Sequence, residues 1–315
     1  MKKTLIALSV LVAAGSVNAA TVYDNDGVMV DLYGDFAVHY EKAEGADKEA
    51  AIVIDDADFG INFESAINEN MAIIANMDVS GEGTIEDNNG EDASALALDD
   101  LTVGFKADGT TVKVGDQVNL VDDFGLSNDF AFGLKTAEDK VALAADGSQV
   151  IRVDYDSGEA FYGAFATTSN ADGLDNGVDT EVQYDLNAGV RFDAADVSVT
   201  YSTGELTTGA DSDFIGVKGS YSLEDITLSA VYTTAEQESA DVTAFGANIE
   251  YSMDKVGFNF GLVDMDDEVA DQDYVEYYAN VSYSLAKNAT AFFEVQDSDL
   301  DNVDMGYAAG VTVKF

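Results

Sequence analysis

The feature that most constrains this chain is a period-two alternation of apolar and polar residues that recurs along almost its whole length. Over residues 180–192, Val182, Tyr184, Leu186, Ala188, Val190 and Phe192 share one parity, and Glu181, Gln183, Asp185, Asn187, Gly189 and Arg191 the other. An extended strand puts the two sets on opposite faces, whereas a helix would scatter both around its circumference. Val30, Leu32, Phe36, Val38 and Tyr40 oppose Asp31, Tyr33, Asp35 and His39 in the same way, and Val256, Phe258, Phe260 and Leu262 oppose Gly257, Asn259 and Gly261. Sixteen such strands are predicted, near 28–40, 51–64, 71–80, 95–106, 110–118, 148–157, 159–169 and 180–193. The second eight lie near 195–205, 212–223, 225–236, 242–253, 255–265, 273–286, 289–297 and 304–315.

Connector length is the second signal. Tight joins at 65–70, 107–109, 157–159, 193–196, 223–225, 253–255 and 286–288 alternate with longer polar joins that include 41–50, 81–94, 118–147, 170–179, 206–211, 266–272 and 298–303. Short turns at one end and longer loops at the other, with an even strand number, are the layout of a bacterial outer-membrane barrel. No apolar run after the N-terminal segment approaches the roughly 18–20 residues of a membrane helix, so a membrane crossing has to be made by a closed barrel. The absence of proline leaves every backbone N–H able to join a ladder. The expected fold is all-β: a transmembrane antiparallel β-barrel of about 16 strands, with short periplasmic turns and longer extracellular loops. Two positions disturb the pattern. Asp55 and Asp99 fall on the apolar parity; Asp55 is expected near a strand end, and a bulge would accommodate Asp99. Residues 130–145 leave room for another strand pair, which would make 18.

Lys2 and Lys3, the apolar run 4–14 and the small residues of Val17-Asn18-Ala19 form a secretory signal, expected to be cut after Ala19 or alternatively Ala20. That division gives 1–19 as signal peptide and 20–315 as barrel. Removal takes two of the 14 basic and none of the 61 acidic residues, leaving a formal charge of −49. Such a charge argues against nucleic acid, whose phosphates need a basic footprint. With 47% apolar residues the chain is not of disordered composition, and with no cysteine it has neither disulfides nor thiolate metal sites. No cofactor or metal is expected.

Three segments together resemble the general porins of Gram-negative outer membranes. VDLYGDFAVHY (30–40) is similar to the family's first strand. The terminal AAGVTVKF, with Tyr307, Ala309, Val311, Val313 and Phe315 on one parity, is similar to the signal by which the barrel assembly machinery recognises its clients. VKVGDQ (112–117) stands before the longest loop, where the family places a loop that folds into the pore. The resemblance implies a homotrimer of water-filled channels for small hydrophilic solutes, each narrowed by loop 118–147. It also implies loop carboxylates (Asp122, Asp123, Asp129, Glu138 and Asp139) facing a basic wall. Here the wall positions instead carry Asp35, Asp58, Asp78 and either Asp99 or Asp100, with Lys113, Arg152 and Arg191 as the cations of lumen parity.

Inward parity also includes Asp31, Asp56, Asp154, Glu181, Asp185, Glu250, Glu276 and Glu294, opposed besides by Lys218. A narrow low-dielectric channel of one sign concentrates counter-ions, so a preference for cations and neutral solutes is expected. The bland alternative is acidity that only keeps the surface hydrated. His39, the only histidine, has no nucleophile paired with it in sequence, so it is expected to be solvated and catalysis is not expected. Acidic stretches 263–273 and 297–304 lack the ordered calcium-loop pattern; they read as solvated loops, or as weak divalent bridges to lipopolysaccharide phosphate. Two other classes stay open: a structural or adhesive barrel with little conductance, and a soluble acidic β-protein. The second would expose far more apolar patch than water tolerates.

Overall fold

The computed structural model describes residues 19–45, 48–81, 83–84, 96–122, 124–126, 128–171, 180–237 and 240–315. The expected signal peptide therefore lies outside the described residues save for Ala19, as does Asp123 of the long loop. Strands β1 (Val28–Lys42), β2 (Ala51–Asn68), β3 (Met71–Ser80), β4 (Ala97–Ala107) and β5 (Thr110–Val118) precede the long loop. After it come β6 (Asp146–Asp156), β7 (Phe161–Ala171), β8 (Thr180–Phe192), β9 (Ala195–Leu206), β10 (Asp211–Leu223) and β11 (Ile226–Gln237). The chain ends with β12 (Ala240–Met253), β13 (Val256–Asp267), β14 (Gln272–Ala286), β15 (Ala289–Ser298) and β16 (Gly306–Lys314).

Each strand pairs antiparallel with the next, and β16 pairs with β1 from Tyr307↔Lys42 to Lys314↔Asp35, which closes a 16-stranded barrel. Closure leaves no long open edge, the condition for spanning hydrocarbon with strands. A short N-terminal strand (Ala20–Asn25), unforeseen in the sequence, pairs with Val28–Leu32 of β1. It and β16 share one slot along the same edge of β1. Between them Phe315 and Gly34 exchange backbone bonds of 2.8 and 2.9 Å, so the terminal residue is part of the ladder. Its ring also stacks on Phe36 at 5.7 Å between centroids.

Tight turns follow from their residues. Asp108-Gly109 has φ of 47° and 82°, and Asp26-Gly27 has 53° and 78°. Two left-handed central residues define the turn whose twist matches a hairpin, and aspartate and glycine adopt that conformation at least cost. Asp193, Glu224 and Asp254 take the same left-handed conformation in three other tight turns.

The parity holds. Tyr184, Leu186, Val190 and Phe192 point outward and are exposed, while Gln183 and Asp185 are buried inside. Both disturbances are bulges. The β1–β2 register skips Asp55 between Ala37↔Asp56 and Val38↔Ile54, so Asp55 belongs to a bulge within the strand and not to a strand end. Between β3 and β4, Asp99 and Asp100 together oppose Asp78. An extra residue on one strand restores the parity beyond it. A third irregularity, between Thr180 and Val182, leaves Glu181 exposed instead of lining the lumen.

Residues 130–145 form no strand pair among the described residues, which decides for 16 over 18; one 3-10 turn, Ala137–Lys140, is their regular element. The loop 119–145 folds into the barrel, where its apolar side chains meet inward-facing apolar residues of β10–β14 in the main buried cluster.

Candidate functional site

The loop is held against one half of the inner wall. At its root the Asn119 N–H donates to the Ala145 carbonyl at 2.8 Å, and the Gln183 amide brackets Ala144, accepting its N–H at 2.8 Å and donating to its carbonyl at 3.1 Å. Further along, the Ala137 N–H donates to Thr233 Oγ1 (3.1 Å) and the Ala142 N–H to Gln237 Oε1 (2.8 Å). Val121, Phe124, Leu126, Leu134, Val141 and Leu143 supply the apolar contact with Phe214, Val231, Val242, Val263, Met265 and Tyr278 of the wall.

The loop tip is fixed by a carboxylate. Glu294 accepts the consecutive backbone N–H groups of Phe130, Ala131 and Phe132 at 3.0, 3.0 and 2.8 Å, and a further bond from Asn280 at 2.9 Å. Beside it the Phe130 ring stacks on Phe292 at 4.5 Å, and the Asn128 carbonyl accepts from Asn259 (2.7 Å) and Asn280 (2.9 Å). Glu276 accepts the Lys135 N–H at 3.4 Å, and Asp185 that of Leu120 at 3.4 Å. These inward carboxylates, expected to line the channel, are buried and spent on the loop backbone: Glu294 is 0% exposed and Asp185 1%. Charge-assisted bonds of this kind are roughly twice as strong as neutral ones. They let a non-repetitive loop satisfy its polar groups inside a barrel.

The wall of β1–β4 is built differently. Asp35 pairs directly with Asp58; Asp78 pairs with Gly60, two residues along; and the β4 bulge sets Asp99 and Asp100 beside Asp78. The register thus brings both Asp99 and Asp100 beside Asp78, and carboxylates run across the neighbouring strands β1–β4. The Tyr33 ring lies over Gly60, and its hydroxyl donates to Asp78 at 2.9 Å and accepts from Asn76 at 2.7 Å. Lys314, which alternation alone does not single out, reaches Asp35 at 3.1 Å. Its register opposite Asp35 on the closing strand is a relation that only barrel closure creates.

The other cations sit to one side. Lys113 pairs in register with Arg152 on β5 and β6 and acts electrostatically on Asp100. Arg152 is buried, donates to both oxygens of Asp154 (3.1 and 3.2 Å) and reaches the Asn119 carbonyl at the loop root (3.3 Å). Arg191 lies at the tight-turn end, bidentate on Asp156 (2.9 and 3.0 Å), 3.6 Å from Asp196 and over the Tyr162 ring at 4.3 Å. It belongs to the turn-end rim, away from the aspartate row.

The loop carboxylates also divide. Asp122 and Asp129 are exposed. Glu138 is buried, takes a hydrogen bond from the Thr136 hydroxyl and is pushed above the usual carboxylate range by that burial. Asp139 caps the short helix by accepting the Thr136 N–H at 2.7 Å. Both therefore serve the loop's own structure. His39, expected in a wet lumen, is buried, with Nε2 2.8 Å from Glu41 and its ring edge-on to Phe292. At the terminus Val311 and Val313 pair with Val38 and Phe36, and the Tyr307 ring meets Tyr40. Among the described residues no group of three potential ligands is arranged to hold a metal ion.

Known proteins share this architecture. The model of the Gram-negative porin family matches residues 5–303. Porin-like protein H of Photobacterium profundum is 29% identical over the full length of both chains. Salmonella typhi OmpF, solved in complex with daunomycin, superposes with a TM-score of 0.77 at 16% identity, covering 94% of this chain and all of that one. The trimer form of Vibrio cholerae OmpT gives a TM-score of 0.75 at 18% identity, covering 92% of this chain and all of that one. A closed 16-stranded barrel, an inward loop and a family match over nearly the whole length agree: this chain belongs to the Gram-negative porin family, the outer-membrane β-barrel channels.

Proposed function

We propose that the protein is a water-filled channel for passive diffusion of small hydrophilic solutes and ions, and that it favours cations and neutral solutes over anions. The observation that carries this reading is the row of Asp35, Asp58, Asp78, Asp99 and Asp100 on the wall left uncovered by the loop. Asp122 and Asp129 add exposed negative charge on the loop itself. Arg152 and Arg191 do not offset the row, because they are engaged by Asp154, Asp156 and Asp196; Lys113 acts on Asp100 and Lys314 on Asp35, two cations against five carboxylates. Charge of one sign lining a low-dielectric passage raises the local concentration of counter-ions and repels co-ions.

The reading extends to assembly. Residues 1–19 are a signal peptide removed on export, and Tyr307, Val311, Val313 and Phe315 present the terminal strand to the assembly machinery. Three copies form the working unit, as in the trimer form of the Vibrio OmpT neighbour. Exposed Asp264, Asp266 and Asp273 on the outward long-loop rim bind lipopolysaccharide phosphate through divalent cations. Planar-bilayer conductance with the reversal potential across a salt gradient tests the reading. Steps in multiples of three with a cation-selective potential support it. A nonselective potential refutes the aspartate-row mechanism, and a folded trimer without conductance favours a structural or adhesive barrel.

A further inference from the structure

Three wall glycines lie directly beneath the loop's apolar side chains. A Cβ on Gly216 of β10 would stand 2.4 Å from Phe124 Cζ and 2.7 Å from Phe214 Cζ. On Gly246 of β12 it would stand 2.4 Å from Leu126 Cδ2, with methyls of Val263 and Val231 at 2.9 and 3.0 Å. On Gly261 of β13 it would stand 2.6 Å from both Leu134 Cδ1 and Tyr278 Cε1, and 2.9 Å from Asn248 Oδ1. None of the three has a left-handed φ, so the backbone does not require glycine at these places. A glycine inside a strand weakens it and marks a site of close approach. Here the approaching groups are Phe124, Leu126 and Leu134, all buried in the same cluster.

We infer that Gly216, Gly246 and Gly261 are sockets that position the constriction loop, and that their depth sets the aperture of the channel. The sockets are walled on more than one side. At Gly246 two valines flank Leu126, and at Gly261 Tyr278 and Asn248 flank Leu134, so a knob that loses its socket has no room to step sideways. Carbon–carbon contact settles at about 3.5–4.0 Å, so a methyl at either position lifts the loop by about 1 Å toward the opposite wall. This assignment rests on the channel reading for its effect on conductance, and on packing alone for its effect on loop position.

The experiment is a knob-and-socket exchange. Gly246→Ala and Gly261→Ala are each made alone and with the matching truncation, Leu126→Ala or Leu134→Ala. Single-channel conductance and a loop-to-wall distance are then measured on detergent-folded protein. The chain has no cysteine, so spin labels on Asp129→Cys and Asp58→Cys report that distance without background. The expected result is lower conductance and a shorter distance in each glycine variant, larger for Gly246→Val than for Gly246→Ala, with both reversed toward the parent in the matched double variant. Unchanged values, or losses that the matching truncation does not reverse, overturn the inference. If the parent protein conducts nothing, the channel reading fails, and the distance cycle still decides whether the sockets position the loop. Should a glycine variant not fold, Leu126→Ala and Leu134→Ala alone keep the test: an emptied socket broadens the distance distribution, and an unbroadened one overturns the inference.

Discussion

The two halves of the inner wall use carboxylates in opposite ways. On β8, β14 and β15, Asp185, Glu276 and Glu294 are buried and accept backbone N–H groups of the loop. On β1–β4, Asp35, Asp58, Asp78, Asp99 and Asp100 stand beside one another with far fewer donors between them. Both halves carry carboxylates, and all these side chains have lumen parity or sit at a bulge. What separates them is whether a non-repetitive segment with unpaired N–H groups lies over them. Carboxylates under the loop accept its N–H groups, whereas those of β1–β4 lie beside one another.

Four perturbations would break or sharpen that contrast. The largest effect on selectivity is expected from replacing Asp35, Asp58, Asp78 and Asp100 with asparagine. In a water-filled passage a unit charge about 4 Å away is worth roughly 1 kcal/mol, and about 1.4 kcal/mol is tenfold. The cation-to-anion permeability ratio should fall on the order of tenfold, read from the reversal potential; an unchanged potential would place selectivity elsewhere.

Glu294→Ala comes next and should act on the other half. It leaves three part-buried N–H groups without their acceptor, each costing at most about 1–3 kcal/mol. The loop tip should become open to protease and the current noisy, with a smaller change in reversal potential than the asparagine set produces. A larger change would mean the two halves are not separable.

A moderate effect is expected from pH through Glu138, whose carboxyl burial raises. The folded loop then holds the proton more tightly than the unfolded chain does. That contribution is complete below the ordinary carboxylate value and is lost as pH rises through the raised one. Loop proteolysis should therefore increase toward alkaline pH, and Glu138→Gln should flatten the dependence; a parallel rise in both proteins would assign the titration to another group. Arg191→Ala should have the least effect on reversal potential, because its charge is met by Asp156 and Asp196 at the tight-turn end. A shift comparable to that of the aspartate row would contradict this placement.

Much of this is legible in the sequence. The even strand number, the inward parity of Asp35, Asp58, Asp78 and Asp100, and the loop between Val118 and Asp146 all follow from local alternation and connector length. The N-terminal strand was missed although Val22 and Tyr23 precede an Asp-Gly turn, because six residues are too few for periodicity to register. Sequence alone places Asp55 at a strand end, because a bulge shows there only as a break in parity, with nothing to say where the partner strand resumes. Resemblance alone makes all the loop carboxylates pore-facing; Glu138 and Asp139 instead belong to a capping arrangement around Thr136.

By itself, then, the sequence determined that this chain is a barrel of alternating strands with an acidic interior, because which face a side chain takes depends only on the extended backbone around it. Tertiary structure alone decided which of those acids are taken up by the loop and which are not. Glu294 meets the N–H groups of residues 130–132 across more than 160 positions of sequence, and Phe124 finds Gly216 across the same interface. Such contacts depend on where a folded-in loop comes to rest, which is fixed by shape and hydrogen-bond geometry between strands far apart in the chain.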